Sequence, residues 1–176
     1  MGGLDILINN AGAARAYPEG SFAIPDEEWL DALTMNYLAA VRMTRAVVPA
    51  LKASTAAAII NISAGSATPG APPLLHYLTA KSALNSYSKA LAHELAPSRI
   101  RVNTVTPGHF LTPGGDAIRQ TLSEAFKIPV AGLFSQIPLG QPGKPEDVAE
   151  AVALLASGRG HWITGQNLHV DGGMGT

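Results

Sequence analysis

The stretch Leu4-Asp5-Ile6-Leu7-Ile8-Asn9-Asn10-Ala11-Gly12 decides the fold. Its apolar residues 6–8 are consecutive rather than alternating. That is the pattern of a strand covered on both faces, as strands are inside a parallel sheet. The run stops at two asparagines and a glycine, residues that favour turns. A strand over Leu4–Ile8 feeding a tight turn is the starting point.

Three more apolar runs, Ala57–Ile62, Ile100–Val105 and Asn167–Val170, also end in turn-prone segments and predict strands. Helical patterns lie between them. From Asp26 to Lys52, Trp29, Leu33, Leu38, Val41, Val48 and Leu51 recur with helical spacing. Asp26, Glu27 and Glu28 supply negative charge where a helix amino terminus favours it. Pro49 marks a kink or an end. A second helix is predicted over His76–Ala96, stopped by Pro97. A third starts at Pro145, followed by Glu146 and Asp147, and runs to Ser157, with Gly158 as its stop. A shorter helix is expected in the loop before it. This alternation predicts an α/β layer fold, a parallel sheet flanked by helices. The 176 residues show no repeat or long linker, so one domain over 1–176 is expected.

Composition narrows the function. The net charge of -1, without clustered Lys and Arg, argues against a nucleic-acid partner, because phosphates need cations. The absence of cysteine rules out disulfide frameworks and thiolate metal sites, and no metal is expected. No 18 apolar residues run together, and the first residues lack a signal-peptide pattern. No membrane association and a cytoplasmic location are expected. There is no Gly-x-Ser-x-Gly elbow, which argues against a hydrolase of the α/β type.

Tyr77 and Lys81 stand four residues apart on a predicted helix and so share a face. A phenol titrating near pH ~10 is a poor proton shuttle at neutrality. A cation beside it favours the phenolate and makes it a usable general acid/base. Alone, the spacing fits equally a half-buried tyrosine next to a solvated lysine. Other signals fall at strand ends, where open α/β sheets bind ligands. Asn9-Asn10-Ala11-Gly12 follows the first strand and Asn61-Ile62-Ser63 closes the second. Thr106-Pro107-Gly108 follows the third, with Thr112 four residues on. Asn36 lies inside the first helix, and Ile163-Thr164-Gly165-Gln166 and Val170-Asp171-Gly172-Gly173 close the chain.

In this order, from Leu4 to Gly173, these motifs resemble the short-chain dehydrogenase/reductase family. The resemblance implies a Rossmann-like sheet and hydride transfer between NAD or NADP and a small-molecule carbonyl or alcohol. Tyr77 would exchange the proton with the substrate oxygen. Lys81 would lower the pKa of Tyr77 and hydrogen-bond the nicotinamide ribose, and Asn36 would support a water in the proton relay. Asn10, Ala11 and Gly12 would line the cofactor and steady the central strand. Pro107, Gly108, Phe110 and Thr112 would close over the nicotinamide and its carboxamide. Asp171 would be structural. Homo-oligomers would form through the two long helices. The segment Leu111–Leu139 carries many apolar residues. These would either form a lid over a hydrophobic carbonyl substrate or pack a short helix onto the core.

Two departures from the family stand out. Counting back from Tyr77, the family's catalytic serine falls on Ala64. Losing one such hydrogen-bond donor costs about 3 kcal/mol of transition-state stabilisation. Either Ser63 or Ser66 is expected to replace it in part, or activity is reduced. Second, the sequence has no Thr-Gly-x-x-x-Gly-x-Gly turn, which in the family carries the pyrophosphate at a helix amino terminus. The expectation is a Rossmann-like domain truncated at its amino terminus, with an upstream in-frame segment encoding the turn. The Leu4–Ile8 strand then becomes a sheet edge with unpaired backbone groups. The rival expectation is a catalytically inactive fragment or oligomerising interaction subunit.

Overall fold

The computed structural model describes residues 3–65 and 71–175. Four strands, β1 (Ile6–Asn9), β2 (Ala58–Ile62), β3 (Arg101–Pro107) and β4 (Asn167–Val170), form one parallel sheet in the order β1-β2-β3-β4. The pairs Asn9↔Asn61, Ile62↔Val105 and Pro107↔Val170 set the register. All four carboxyl ends therefore lie along one margin, where the ligand-binding crevice of such sheets is found. β1 begins later than expected, although the Asp5 carbonyl still accepts from the Ala58 N–H at 3.0 Å. β3 runs two residues beyond the expected end.

The helix expected over Asp26–Lys52 is three pieces. These are α1 (Asp26–Leu33), a π-helical segment (Thr34–Leu38) and α2 (Ala39–Leu51). Asn36 is buried at the centre of the π segment, a local widening that is frequent at functional sites. Pro49 does not end α2, which continues to Leu51. Helix α3 (Leu75–Leu95) passes into a 3-10 turn, Ala96–Ser98, that holds Pro97. The loop helix α4 (Pro113–Phe126) has 14 residues and is longer than the 12-residue α5 (Pro145–Ala156), not shorter as expected.

Neighbouring residues of β2 serve opposite layers. Ile59 packs with Val102, Leu51, Leu91 and Leu95, the side of α2 and α3. Ile60 packs with Val105 and Leu155, the side of α5. The strand order advances in one direction, yet the third crossover uses the other face. Its hand is therefore opposite to that of the first two. On the α2 side Leu7 of β1 joins the core. On the α5 side Ile6 and Ile8 remain 41% and 47% exposed. They border a groove of about 430 Å³ between β1 and α5, lined also by Ile62, Val148 and Val152. The edge character expected of this strand is observed.

A buried polar ladder ties the layers together. Asn9 Nδ2 donates to Asn61 Oδ1 at 2.8 Å, Asn61 Nδ2 donates to Ser88 Oγ at 2.7 Å, and Ser88 donates to the Leu84 carbonyl at 2.6 Å. Because Asn61 and Ser88 are buried, the satisfied network fixes how α3 sits on β2.

Candidate active site

Helix α3 carries Tyr77 and, one turn later, Lys81 against the end of β2. Lys81 is buried and its Nζ donates to the Ile62 carbonyl at 2.8 Å. The same nitrogen lies 5.8 Å from the centre of the Tyr77 ring. The shared face expected from the spacing is therefore present, but the expected depression of the tyrosine is not. Burial pushes Tyr77 up to about 12 and Lys81 down to about 8. Each group is held toward its neutral form by desolvation.

Asn36 Oδ1 accepts from the Ala13 N–H at 3.0 Å, and its Nδ2 donates to the carbonyls of Ala13 at 2.9 Å and Ala32 at 3.1 Å. Its amide thus holds the loop that follows Gly12. A Cβ added at Gly12 would stand 2.8 Å from Asn36 Oδ1 and 3.1 Å from Lys81 Nζ. Gly12, Asn36 and Lys81 converge on one point, and a side chain there would have to displace the tips of Asn36 and Lys81. Asn10 and Ala11 lie exposed beside it at the carboxyl end of β1.

The opposite wall comes from the end of β3. Gly108 donates to the Val170 carbonyl at 2.9 Å, and a Cβ there would lie 2.7 Å from Asp171 Cα. Asp171 accepts from the N–H groups of Gly173 and Gly175 at 2.9 and 3.0 Å, so it builds the last turn. Thr112 caps α4, its Oγ accepting from the Gly115 N–H at 3.2 Å. That hydroxyl is engaged in starting a helix. Phe110 bridges to Gly143, and its carbonyl accepts from Arg119 Nη2 at 3.0 Å. Pro107, by contrast, simply ends β3.

Arg119 escaped the sequence reading, since one arginine on an exposed helix carries no signal. It is nonetheless 5% exposed, paired with Asp116 at 2.5 Å and set 5.4 Å over the Phe134 ring. Phe134 also meets His109 edge-on at 6.0 Å. Burial, with Arg119 nearby, lowers the imidazole of His109. Both ends of the substrate-side loop are thus fastened to Arg119. Of the apolar residues in that loop, Ile137 is buried, while Leu111, Phe126, Ile128 and Leu139 are exposed.

Ser63 is buried and its hydroxyl donates to the Lys81 carbonyl at 3.4 Å, so it is engaged with the backbone of α3. Ala64 is partly exposed beside it. Ser66 lies outside the described residues. Among the described residues no group of His, Asp and Glu could hold a metal ion, and no helix is long and apolar enough to cross a membrane. At Gly12 and Gly108 the space a side chain would take is already filled by Asn36 and Lys81 and by Asp171, so both positions are set by packing within the chain. No glycine-rich turn for a pyrophosphate occurs in the sequence.

Comparison with known proteins agrees with this geometry. A family model described as enoyl-(acyl carrier protein) reductase matches residues 1–175. The 3-oxoacyl-[acyl-carrier-protein] reductase FabG of Haemophilus influenzae is 36% identical over 174 residues. That of Escherichia coli K12 is 38% identical over 174 residues. Each alignment spans 99% of this chain and 68% of the relative. The crystal structure of acetoin dehydrogenase from Enterobacter cloacae superposes with a TM-score of 0.80 at 30% identity, over 97% of this chain and 64% of that one. The chain thus spans about two thirds of the length of the proteins it matches.

Proposed function

The chain belongs to the short-chain dehydrogenase/reductase family of oxidoreductases, and on that premise we propose that it carries the proton-transfer and substrate half of an NAD- or NADP-dependent enzyme acting on a small carbonyl or alcohol. One observation carries the reading. Lys81, Asn36 and Gly12 meet at the carboxyl ends of β1 and β2, with Tyr77 one helical turn from the lysine.

The nicotinamide, when bound, supplies or accepts the hydride. The residues of this chain handle the proton and the geometry. The Tyr77 phenol carries its proton at neutral pH; raised to about 12 by burial it is a weak acid alone, and it delivers that proton to a carbonyl oxygen with the nearby Lys81 charge offsetting the penalty. Lys81, still charged below about pH 8, stabilises the phenolate left behind once its ammonium turns from the Ile62 carbonyl toward the ribose and phenol. Asn36 holds the Gly12–Ala13 backbone in place beneath the nicotinamide. Asn10, Ala11, Pro107, Gly108, Phe110 and Thr112 form the remaining walls. The exposed Leu111, Phe126 and Leu139 suit a lid over an apolar substrate. Leu30, Met35 and Met43, exposed along α1 to α2, support a homo-oligomer built on those helices. A cytoplasmic setting fits this cofactor chemistry.

Calorimetric titration of the purified chain with NADH and with NADPH tests the reading. Binding of either, weakened tenfold or more by Lys81→Met, is the expected result. Stable oligomers with no binding of either cofactor would overturn it in favour of a non-catalytic interaction subunit.

A further inference from the structure

Tyr77 is the third residue of α3. Leu74 offers no side-chain cap and the first turn contains no acidic residue; the helix begins instead as a continuation of the 3-10 turn Pro72–Leu74, whose Pro72 carbonyl accepts from the Leu75 N–H. Packing around His76, with the Tyr17–Pro73 hydrogen bond, holds that turn against the rest of the fold.

The His76 side chain is 2% exposed. Its ring meets Tyr17 edge-on at 5.6 Å and 85°, and Trp29 at 6.2 Å and 73°. Tyr17 comes from the loop after β1, and its backbone N–H donates to the Pro73 carbonyl at 2.9 Å, just before α3. Trp29 comes from α1. The clamp is closed from outside by Arg15, which pairs with Glu28 at 2.7 Å and lies beside Tyr17. The loop after β1, α1 and α3 thus converge on one imidazole, directly before Tyr77 in the chain.

We propose that His76 is a positioning residue for Tyr77, a neutral wedge between Tyr17 and Trp29 that sets the first turn of α3 and comes loose when it takes up a proton. The proposal rests on the reading of Tyr77 as the proton donor. Among the described residues His76 Nδ1 is buried without a hydrogen-bond partner, a cost that shape alone does not require, since a phenylalanine would fill the same space. An added proton would place a charge in this dry cluster. The groups that face it are Tyr17 from the loop and Trp29 and Glu28 from α1, with Arg15 paired to Glu28 beyond them. Glu28 favours the imidazolium, but it is already paired with Arg15. Burial outweighs it and lowers the imidazole below its ordinary value. The wedge is therefore intact at neutral pH and is released only in acid.

The test needs no cofactor. In a Trp162→Phe background, Trp29 is the only tryptophan, and a protonated imidazole against its ring quenches its emission. Ring-13C tyrosine, with Tyr77 assigned through Tyr77→Phe, reports the phenol. The expected result is a Trp29 transition with its midpoint below about 6.5, matched by a Tyr77 shift at the same midpoint. His76→Phe should abolish both while the chain stays folded. A Trp29 transition with a motionless Tyr77 signal would reduce His76 to a packing residue. A transition surviving in His76→Phe, or none before acid unfolding, would overturn the proposal. Cofactor titration reads the function separately, so a chain that binds no NAD(P)H can still show or fail to show this coupling.

Discussion

The ammonium of Lys81 is hydrogen-bonded to the carbonyl of Ile62, nineteen positions away in the chain, rather than to the phenol one turn before it. The lysine we propose to support proton transfer thus also anchors α3 to the end of β2. Its charge is kept in a place that burial disfavours. The folded value near 8 lies below the unfolded value of 10.5. Between those values the unfolded chain binds more protons, so this group makes the fold more stable as pH rises, and below pH 8 its burial is a full penalty. Lys81→Met removes the penalty. Melting temperatures of the two proteins from pH 7 to 9.5 should show the wild type gaining on the variant. Parallel curves would mean that Lys81 is not held near 8.

Two glycines should respond unequally to an added methyl group. At Gly12 the new carbon meets the tips of Asn36 and Lys81, which can shift. Gly12→Ala should cost about 1–3 kcal/mol and weaken nicotinamide binding. At Gly108 it meets the backbone of Asp171, which is fixed by the Gly108–Val170 hydrogen bond and the terminal turn. Gly108→Ala should be the more destabilising in urea melts. The reverse order would show that the last turn is easily displaced.

How much of this was legible in the sequence depends on the range of the interaction. The strands could be read because Ile6–Ile8 and Ala58–Ile62 are dense local runs, and Tyr77 and Lys81 because a helix brings positions four apart together. Asn36 could be named but not understood. Its partners, Ala13 and Ala32, require both the π-helical widening and the loop folded back over it. Arg119 was invisible because its burial depends on Phe134 and the Phe110 carbonyl, which only the folded loop assembles. The expectation for Tyr77 failed for a related reason. Spacing tells that a cation is near, but desolvation and the competing Ile62 carbonyl decide what it does.

Hydroxyls at the end of β2 can be separated by substitution. Ser63 is already engaged with α3, so Ser63→Ala should change turnover less than about twofold. Ala64→Ser places a hydroxyl where the family's donor stands and should raise turnover, up to the ~10²-fold typical of one oxyanion donor. Single-turnover kinetics would check both. A large loss in Ser63→Ala would show that its hydroxyl leaves the Lys81 carbonyl to serve the substrate.

Asn61 has no exposed surface and links Asn9 to Ser88. Replacing it with alanine removes two hydrogen bonds at once, leaving Asn9 only its longer bond to Thr44 and Ser88 only its bond to the Leu84 carbonyl, at a cost of about 1–3 kcal/mol. Asn61→Ala should lower the urea midpoint with an unchanged slope. A double-mutant cycle with Ser88→Ala should show strong coupling, because the two side chains share one hydrogen bond. Simple additivity would mean that the ladder is not one network.

Leu7 and Ile8 are adjacent in β1, yet they face a finished layer and an open one. Leu7 packs with Val47, Val48 and the buried core beneath α2 and α3. Ile8 borders the groove beside α5 and stays 47% exposed. A charge at position 8 therefore loses little burial, and its effect on stability should stay within the ~0.5 kcal/mol usual for surface changes. It also places a lysine on an unpaired strand edge, which natural sheets use to block edge-to-edge association. Ile8→Lys should keep the melting temperature and reduce concentration-dependent light scattering, whereas Leu7→Lys should unfold the chain. If Ile8→Lys scattered like the wild type, association would have to run through another surface, and the exposed residues of α1 and α2 would be the next to change.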